Sequence, residues 1–268
     1  MSLRHHLGVV SLGIKMGLKQ SWSCKIEVLG SIIIYATVMV VWGGIIKMLP
    51  LDLLESLNLT TAGMIWYIGA TEFVVFVCPS WGFKQVQNDL ETGQAHLGLL
   101  RPYPDSLLRI SMWTGDALVR TAAMLLPFLL VCWGLSGEIY LSVEKVLLLL
   151  SVLPMAIGIM LAGAYMVGGS CLWLIQAEPA FWVWQKSVFI LGAMVWPMAF
   201  YPEVMQKLMW LTPFPSLLAV AGDWVMAGDL IMLGVHLIHQ LFWGVVFIAL
   251  LRWFDAAVLR RVQSGVGS

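Results

Sequence analysis

Charged side chains are scarce in this sequence, where they make up 11% of 268 residues. A soluble domain of this size carries roughly 25%. Hydrophobic residues account for 60% of the chain, and the mean hydropathy is +0.88. Fifteen basic residues balance fifteen acidic ones, so the chain lacks the basic excess of a nucleic-acid-binding protein. The composition is that of an integral membrane protein.

Signatures of catalysis and of cofactor binding are also missing. The chain has no GxxxxGK[ST] loop, the motif that cradles nucleotide phosphates. It has no CxxC pair either, and its four scattered cysteines are Cys24, Cys78, Cys132 and Cys171. Isolated cysteines of this kind are typical of small apolar positions rather than of metal ligands or disulfides. We therefore expect no enzyme activity, no bound metal and no cofactor in this chain.

Long apolar runs are what the sequence does contain. About 20 apolar residues cross the hydrocarbon core of a membrane. Six intervals approach or exceed that length, namely residues 28–46, 62–83, 118–134, 146–177, 187–202 and 230–251. The sequence therefore predicts an all-α integral membrane protein with six transmembrane helices.

Residues 1–25 precede the first span and have a helical period of their own. Apolar side chains recur every three or four residues, at Leu3, Leu7, Val10, Ile14, Leu18 and Trp22. Lys15 and Lys19 fall mostly outside that stripe, as in a helix that lies in the membrane interface with its basic residues near anionic headgroups. We divide the chain into this N-terminal interfacial amphipathic helix, residues 1–25, and a transmembrane domain, residues 26–268.

Residues 203–229 break the pattern of spans. Their apolar part, residues 208–222, is only fifteen residues long, and Pro213 and Pro215 interrupt it. Proline removes a backbone donor and breaks a helix. The sequence therefore predicts a helix–break–helix that enters one leaflet before the last span, where irregular backbone must be buried in protein or line a wet cavity.

The basic residues predict an orientation. Twelve of the fifteen, Lys186 among them, fall on the side that also holds both termini, and the other three are Lys47, Lys145 and Lys207. Basic residues concentrate on the cytosolic side of membrane proteins. Both termini and residues 84–104 are thus predicted to be cytosolic, and the broken segment 203–229 faces outward.

Residues 84–104 are the longest polar interval between strongly apolar segments. Apolar residues keep a helical spacing through them, at Phe83, Val86, Leu90, Leu97 and Leu100. Gly93 predicts a break between two short helical turns, and Pro102 and Pro104 end the second one. This pattern favours a compact, half-amphipathic element at the membrane surface. An ordinary interfacial loop is the alternative.

Together these features resemble the membrane subunits of ABC-2 type ATP-binding-cassette exporters. Three stretches carry the resemblance: LKQSWSCKIEVLG at residues 18–30, DLETGQAHLGLLRPYP at 89–104 and FYPEVMQKLMWLTPFPSLLAVAGDWVMAG at 200–228. The second is similar to the family's acidic-x-x-Gly, then Leu-Leu-x-Pro loop. The third is similar to its Phe-Pro, then Pro-Phe segment. The tail resembles that of the subgroup made of a stand-alone six-span membrane domain.

The resemblance implies a permease subunit in the bacterial inner membrane. It would form a dimer with an identical or related membrane subunit and move an amphipathic or apolar substrate outward. ATP and Mg²⁺ would bind to separate ATPase subunits. A self-contained secondary carrier or a membrane scaffold is the alternative, but a carrier usually has an internal repeat with paired broken helices, and only one broken segment is evident.

The resemblance also implies site residues. Residues 84–101 would be the coupling element that touches the ATPase, with its apolar face against that partner and Leu90 and Leu97 as anchors. Its expected residues are Val86, Asp89, Leu90, Glu91, Gly93, Leu97, Leu100 and Arg101. Those of the re-entrant segment are Pro202, Glu203, Pro213, Phe214 and Pro215.

Ionisable residues inside the predicted spans are further candidates. Glu72 is costly to bury in a membrane, which indicates either a functional role or a structural hydrogen bond to a neighbouring helix. His236 and His239 are three residues apart in the last span, a spacing that could hold a metal. With no cysteine or carboxylate at ligand spacing nearby, a cavity-lining or helix-packing role is favoured.

Overall fold

The computed structural model describes residues 3–79, 82–94 and 102–263 of the chain. Within these ranges the structure is built from helices and contains no strand. The helices are α1 (Leu3–Ser23), α2 (Lys25–Lys47), α3 (Leu51–Ser56), α4 (Thr61–Val77), α5 (Gly82–Glu91), α6 (Asp105–Ser136), α7 (Val143–Gly169), α8 (Glu178–Leu191), α9 (Glu203–Trp210), α10 (Ala219–Ala227) and α11 (Leu230–Gln263). The predicted all-α class is confirmed.

Five helices in the described ranges are long and apolar enough to cross a membrane, one fewer than predicted. They are α2, α4 with α5 (Thr61–Glu91, of which residues 80–81 lie outside the described ranges), α6, α7 with the turn after it (Val143–Leu172), and α11 as far as Arg261. The difference lies in the predicted fifth span, residues 187–202.

Only the end of α8, which begins at Glu178 and ends at Leu191, overlaps that region. Its 14 residues rise about 21 Å, less than the roughly 30 Å of a hydrocarbon core. Glu178 and Pro179 favour a helix start, because an acidic side chain and a fixed φ suit the first turn. Lys186, which the sequence placed in an inner loop, therefore lies within α8. Its ammonium is 5.8 Å from the centre of the Trp182 ring.

The chain bends immediately after α8, and α4 stabilises the bend. Ala193 has a left-handed φ of 52°. Carbonyl groups freed by such a bend need partners when the surroundings are apolar. The Tyr67 hydroxyl donates to the Ala193 carbonyl at 2.6 Å, and the Thr71 hydroxyl donates to the Met194 carbonyl at 2.6 Å. These two side chains explain why the helix can stop inside the bundle.

Helix α4 is the centre of the bundle. Its side chains from Gly63 to Val74 are buried, whereas α2, α6 and α11 keep exposed apolar faces. Small residues let the neighbouring helices approach closely, as is usual between membrane helices. A Cβ added at Gly69 would lie 2.2 Å from the Cys132 sulfur, and one added at Gly222 would lie 2.5 Å from the Tyr67 ring.

Helix α1 docks along α6 through small residues, a contact that the sequence analysis did not predict. Its buried face consists of Val9, Gly13, Gly17 and Ser21. A Cβ added at Gly17 would lie 1.9 Å from the Met112 carbonyl oxygen. The Gly-x-x-x-Gly spacing is a known signal for close helix contact and would have predicted this face. The leucine stripe faces away from the bundle, with Leu7 and Trp22 exposed, and remains available to lipid.

The broken segment consists of α9, a 3₁₀ turn (Phe214–Ser216) and α10. Pro213 and Pro215 stand at the turn, where the sequence predicts the break. The Trp224 indole of α10 donates to the Lys145 carbonyl at the start of α7, at 2.9 Å. Since α5 packs at the other end of α7, the broken segment and α5 occupy opposite ends of the bundle.

Candidate functional site

Helix α5 is the part of the predicted coupling stretch that the structure describes, and its apolar residues pack inside the chain. Phe83 stacks on Phe181 of α8 with ring centroids 4.2 Å apart. Val86 lies against Gly168 of α7, where an added Cβ would come 2.7 Å from the Val86 Cβ and 2.5 Å from the Phe83 carbonyl oxygen. Gly168 therefore leaves the space in which α5 docks.

The sequence analysis assigned the apolar face of residues 84–101 to a partner, but its described part, at Val86 and Leu90, is covered by the chain itself. Val86 is 4% exposed, and Leu90 is partly buried against the same core. A helix of ten residues is not stable without tertiary packing. In this chain α7 and α8 provide that packing by covering the apolar side of α5. The face of α5 that points away from the bundle is polar and exposes Lys84, Asn88 and Glu91.

The chain turns at Gly93, where the sequence predicts a break. Helix α5 ends at Glu91, and Gly93 has a φ of 74°, a left-handed conformation that suits glycine after a helix end. The second helical turn predicted after this point, with Leu97, Leu100 and Arg101, lies outside the described residues.

A partly buried ion pair ties α5 to α6. The Arg109 guanidinium donates to the Asp89 carboxylate with an N–O distance of 2.6 Å. Arg109 also pairs with Asp105 in the first turn of α6. The side chains of Arg109 and Asp89 are 18% and 24% exposed, so solvent screens this pair less than a surface pair. The pair thus joins α5 to the start of α6.

Three further polar contacts hold α5 in place. The Gln87 side chain accepts from the Ala177 amide at 3.3 Å, next to the start of α8. Lys84 lies 3.9 Å from Glu178, the first residue of α8. The side chain of Gln85 accepts from the Trp113 indole of α6 at 3.3 Å. Helix α5 is thus bonded at several points to the two helices beside it.

A carboxylate on α11 extends these contacts across the bundle. Asp255 accepts from the Ser106 hydroxyl of α6 at 2.5 Å and from the Tyr165 hydroxyl of α7 at 3.0 Å. Ser106 follows Asp105, the second partner of Arg109. The sequence analysis did not single out Arg109 or Asp255, although ionisable residues near the ends of apolar spans could have indicated them.

Asp116 and Arg120 form an ion pair on α6, and Arg120 also reaches residues beyond that helix. Arg120 Nε donates to Asp116 at 2.9 Å, and its terminal nitrogens lie 3.5 Å from Glu27 and 3.3 Å from Ser31. These groups line a cavity of about 430 Å³ between α1, α2, α4 and α6. Through these contacts, Arg120 links α6 to α2.

Glu72 lies on α4, is 4% exposed and is close to the Trp42 side chain of α2. Its place inside the bundle fits both roles that the sequence left open, a functional one and a structural one.

His236 and His239 contact the broken segment. The Ser216 hydroxyl lies 3.2 Å from His236 Nδ1 and 2.7 Å from His239 Nδ1. The Trp210 carbonyl at 3.0 Å and the Trp243 indole N–H at 3.1 Å compete for His239 Nε2. Within the described ranges, His, Cys, Asp and Glu form no group of three that could hold a metal. Both histidines contact the broken segment, and His236 also lines a cavity there.

Comparison with protein families gives one match of nearly full length. The model of a family described as ABC-2 family transporter protein matches residues 32–265. That range includes α5, Arg109, Asp255 and the broken segment, and it excludes α1. A comparison with curated proteins gives no match.

Proposed function

Because the chain belongs to the ABC-2 family of transporter proteins, we propose that it is the permease subunit of an ATP-driven exporter. It forms a dimer with an identical or related membrane subunit and moves an amphipathic or apolar substrate outward across the inner membrane. ATP and Mg²⁺ bind to separate ATPase subunits. The family supports the pairing with ATPases, and the geometry of α5 supports the place of contact.

The observation that carries this proposal is the arrangement of α5. Closure of two ATPase subunits can move membrane helices only through a rigid, docked element. The apolar side of α5 is fixed on α7 and α8, and the partly buried pair of Asp89 and Arg109 fixes it to α6. Its polar side, which includes Asn88, points away from the bundle. A force applied to that side reaches three membrane helices at once.

We further propose that the chain crosses the membrane six times, with α8 and residues 192–200 sharing the fifth crossing. The contact of Lys84 with Glu178 places the start of α8 at the end of the bundle that holds α5. The bend at Ala193 lies beside Tyr67, within α4. From there the chain continues to α9, at the opposite end. Both termini then lie on the cytosolic side.

A bulky residue on the exposed, polar face of α5 should prevent ATPase binding. In the Asn88→Trp variant the new ring occupies the proposed contact, while the apolar docking face is unchanged. Loss of a central interface contact costs at least about 2 kcal/mol, which is roughly thirtyfold in affinity. We expect the ATPase subunit to copurify with the wild-type chain and to be lost from this variant.

The matched control is Ser56→Trp, which adds the same ring at an exposed position on α3. It should retain the ATPase subunit. Equal ATPase recovery from Asn88→Trp and Ser56→Trp would contradict α5 as the contact. If the wild-type chain copurified with no ATPase, the secondary carrier or the scaffold would be the better proposal.

Cysteine labelling in intact cells tests the topology. In a variant without native cysteines, single cysteines at Ser56, Gly137 and Val204 should react with a membrane-impermeant maleimide, because these exposed positions face outward. A cysteine at Gln94 should react only after the membrane is opened. Labelling of Gln94→Cys in intact cells would show that the orientation is wrong.

A further inference from the structure

A cavity of about 330 Å³ lies at the end of the bundle opposite α5. The broken segment and the start of α11 form its walls, and methionines such as Met198 and Met226 make much of the surface apolar. Its volume is in the range of small-molecule pockets, which are mostly apolar with a few convergent polar groups. The identity of those polar groups indicates what it can bind.

The charged side chains that line the cavity are all acidic. Asp223 and Asp229 contribute to the wall, and the described lining includes no lysine or arginine. Asp229 accepts from the backbone amide of Ile231 at 2.8 Å and so caps α11. Asp223 accepts no hydrogen bond from any residue in the described ranges, and it faces His236 Nε2 at 3.5 Å. The Asp223 carboxylate is thus a free acceptor in an apolar wall.

His236 supplies a second polar atom without a partner. Its side chain is 1% exposed, and its Nε2 has no hydrogen-bond partner among the described residues. The hydrogens here have two arrangements, because His239 Nε2 either donates to the Trp210 carbonyl or accepts from the Trp243 indole. In the first arrangement Ser216 donates to His239 Nδ1 at 2.7 Å and accepts from His236 Nδ1 at 3.2 Å, so a neutral His236 has no hydrogen on Nε2. In the second these bonds are reversed, and His236 Nε2–H faces Asp223.

In the first arrangement two acceptors face each other, and a donor between them would satisfy both. His236 Nε2 is buried and Asp223 is 22% exposed, and the two lie 3.5 Å apart with no hydrogen bond between them. A protonated amine has several N–H donors and no acceptor, which matches this pair. The Trp210 ring lies beside it, with its centroid 5.0 Å from that of the His236 ring, and the faces of indole rings attract cations.

We propose that this cavity binds an amphipathic organic amine in its protonated form. The ammonium donates to Asp223 and to His236 Nε2 beside the Trp210 ring, and the hydrocarbon chain lies against the methionines. This site is independent of ATPase coupling, since every group that forms it belongs to the opposite end of the bundle.

Calorimetry on the purified chain in lipid nanodiscs tests the site without ATP or a partner. Octylammonium is the probe, and octanol and octanoate are matched in chain length. After subtraction of binding to empty nanodiscs, octylammonium should bind saturably and at least about tenfold more tightly than the other two. Octyltrimethylammonium, which has no N–H donor, should bind more weakly than octylammonium. Equal affinity of these two cations would overturn the donation to Asp223 and His236.

Asp223→Asn removes the charge at nearly constant shape and should weaken octylammonium binding by about tenfold or more. Asp52→Asn makes the same change on α3, outside the cavity lining, and should bind as the wild type does. Unchanged affinity in Asp223→Asn, or octylammonium binding no tighter than that of octanol, would overturn the proposal. Because the comparison of ligands uses the wild-type chain, it stands even if a variant folds poorly.

Discussion

On the proposed coupling role of α5, replacing Gly168 by valine is expected to weaken the stimulation of ATP hydrolysis by this chain while leaving the chain inserted in the membrane. A Cβ at this position would lie 2.5 Å from the Phe83 carbonyl oxygen and 2.7 Å from the Val86 Cβ. The first of these atoms belongs to the backbone, so α5 must move as a unit. Overpacking of this kind costs typically 1–3 kcal/mol, and the displacement separates Asp89 from Arg109.

The measurement is ATP hydrolysis by the ATPase subunits reconstituted with each permease variant. The stimulation of ATP hydrolysis by the Gly168→Val variant should be about tenfold or more below that by the wild-type chain, since a loss of 1.4 kcal/mol already changes an equilibrium tenfold. Gly158→Val is the matched control, because it makes the same change on the same helix where a Cβ meets nothing within 4 Å. If both variants stimulated the ATPase equally, docking of α5 on α7 would not carry the coupling.

Replacing Gly17 by valine is expected to detach α1 from α6. A Cβ there would lie 1.9 Å from the Met112 carbonyl oxygen and 3.1 Å from the Asp116 amide nitrogen. Both are backbone atoms of α6, so no side chain can move aside to make room. Ser21, one turn further along the same face, is 3% exposed. Detachment of α1 should expose it.

Maleimide labelling of a Ser21→Cys variant without native cysteines measures that exposure. The introduced cysteine should be protected when Gly17 is present and should react when Gly17→Val is added. Gly8→Val lies on the same helix with nothing within 4 Å of its Cβ, and it should leave the protection intact. Protection that persisted in Gly17→Val would contradict the close contact between α1 and α6.

Local chemistry in the sequence was enough to predict the class of the protein and several of its breaks. The scarcity of charge and the apolar runs indicate membrane helices whatever the rest of the chain does, because each run has to be removed from water. The break at Pro213 and Pro215 and the turn at Gly93 follow from backbone properties of single residues. The resemblance of residues 89–104 and 200–228 to the ABC-2 family agrees with the family match.

The length of α8 was outside the reach of such local signals. The sequence analysis began the fifth span after Lys186, because a charge usually marks a span boundary, whereas α8 runs through that position from Glu178 to Leu191. The end of α8 depends on Tyr67 and Thr71, which bond to the bend from a helix more than a hundred residues earlier in the chain. A helix end inside a bundle requires partners for its carbonyl groups, and only the packed structure shows that they exist.

The sequence by itself thus determined that this is an all-α membrane protein with an amphipathic helix, α5, between two apolar spans. Only the tertiary structure decided which face of α5 is available, because an apolar face can be buried equally well by a partner or by the same chain. Val86 is covered by Gly168, and Asp89 is held by Arg109. The proximity of Asp223 to His236 also depends on how helices pack rather than on spacing along the chain.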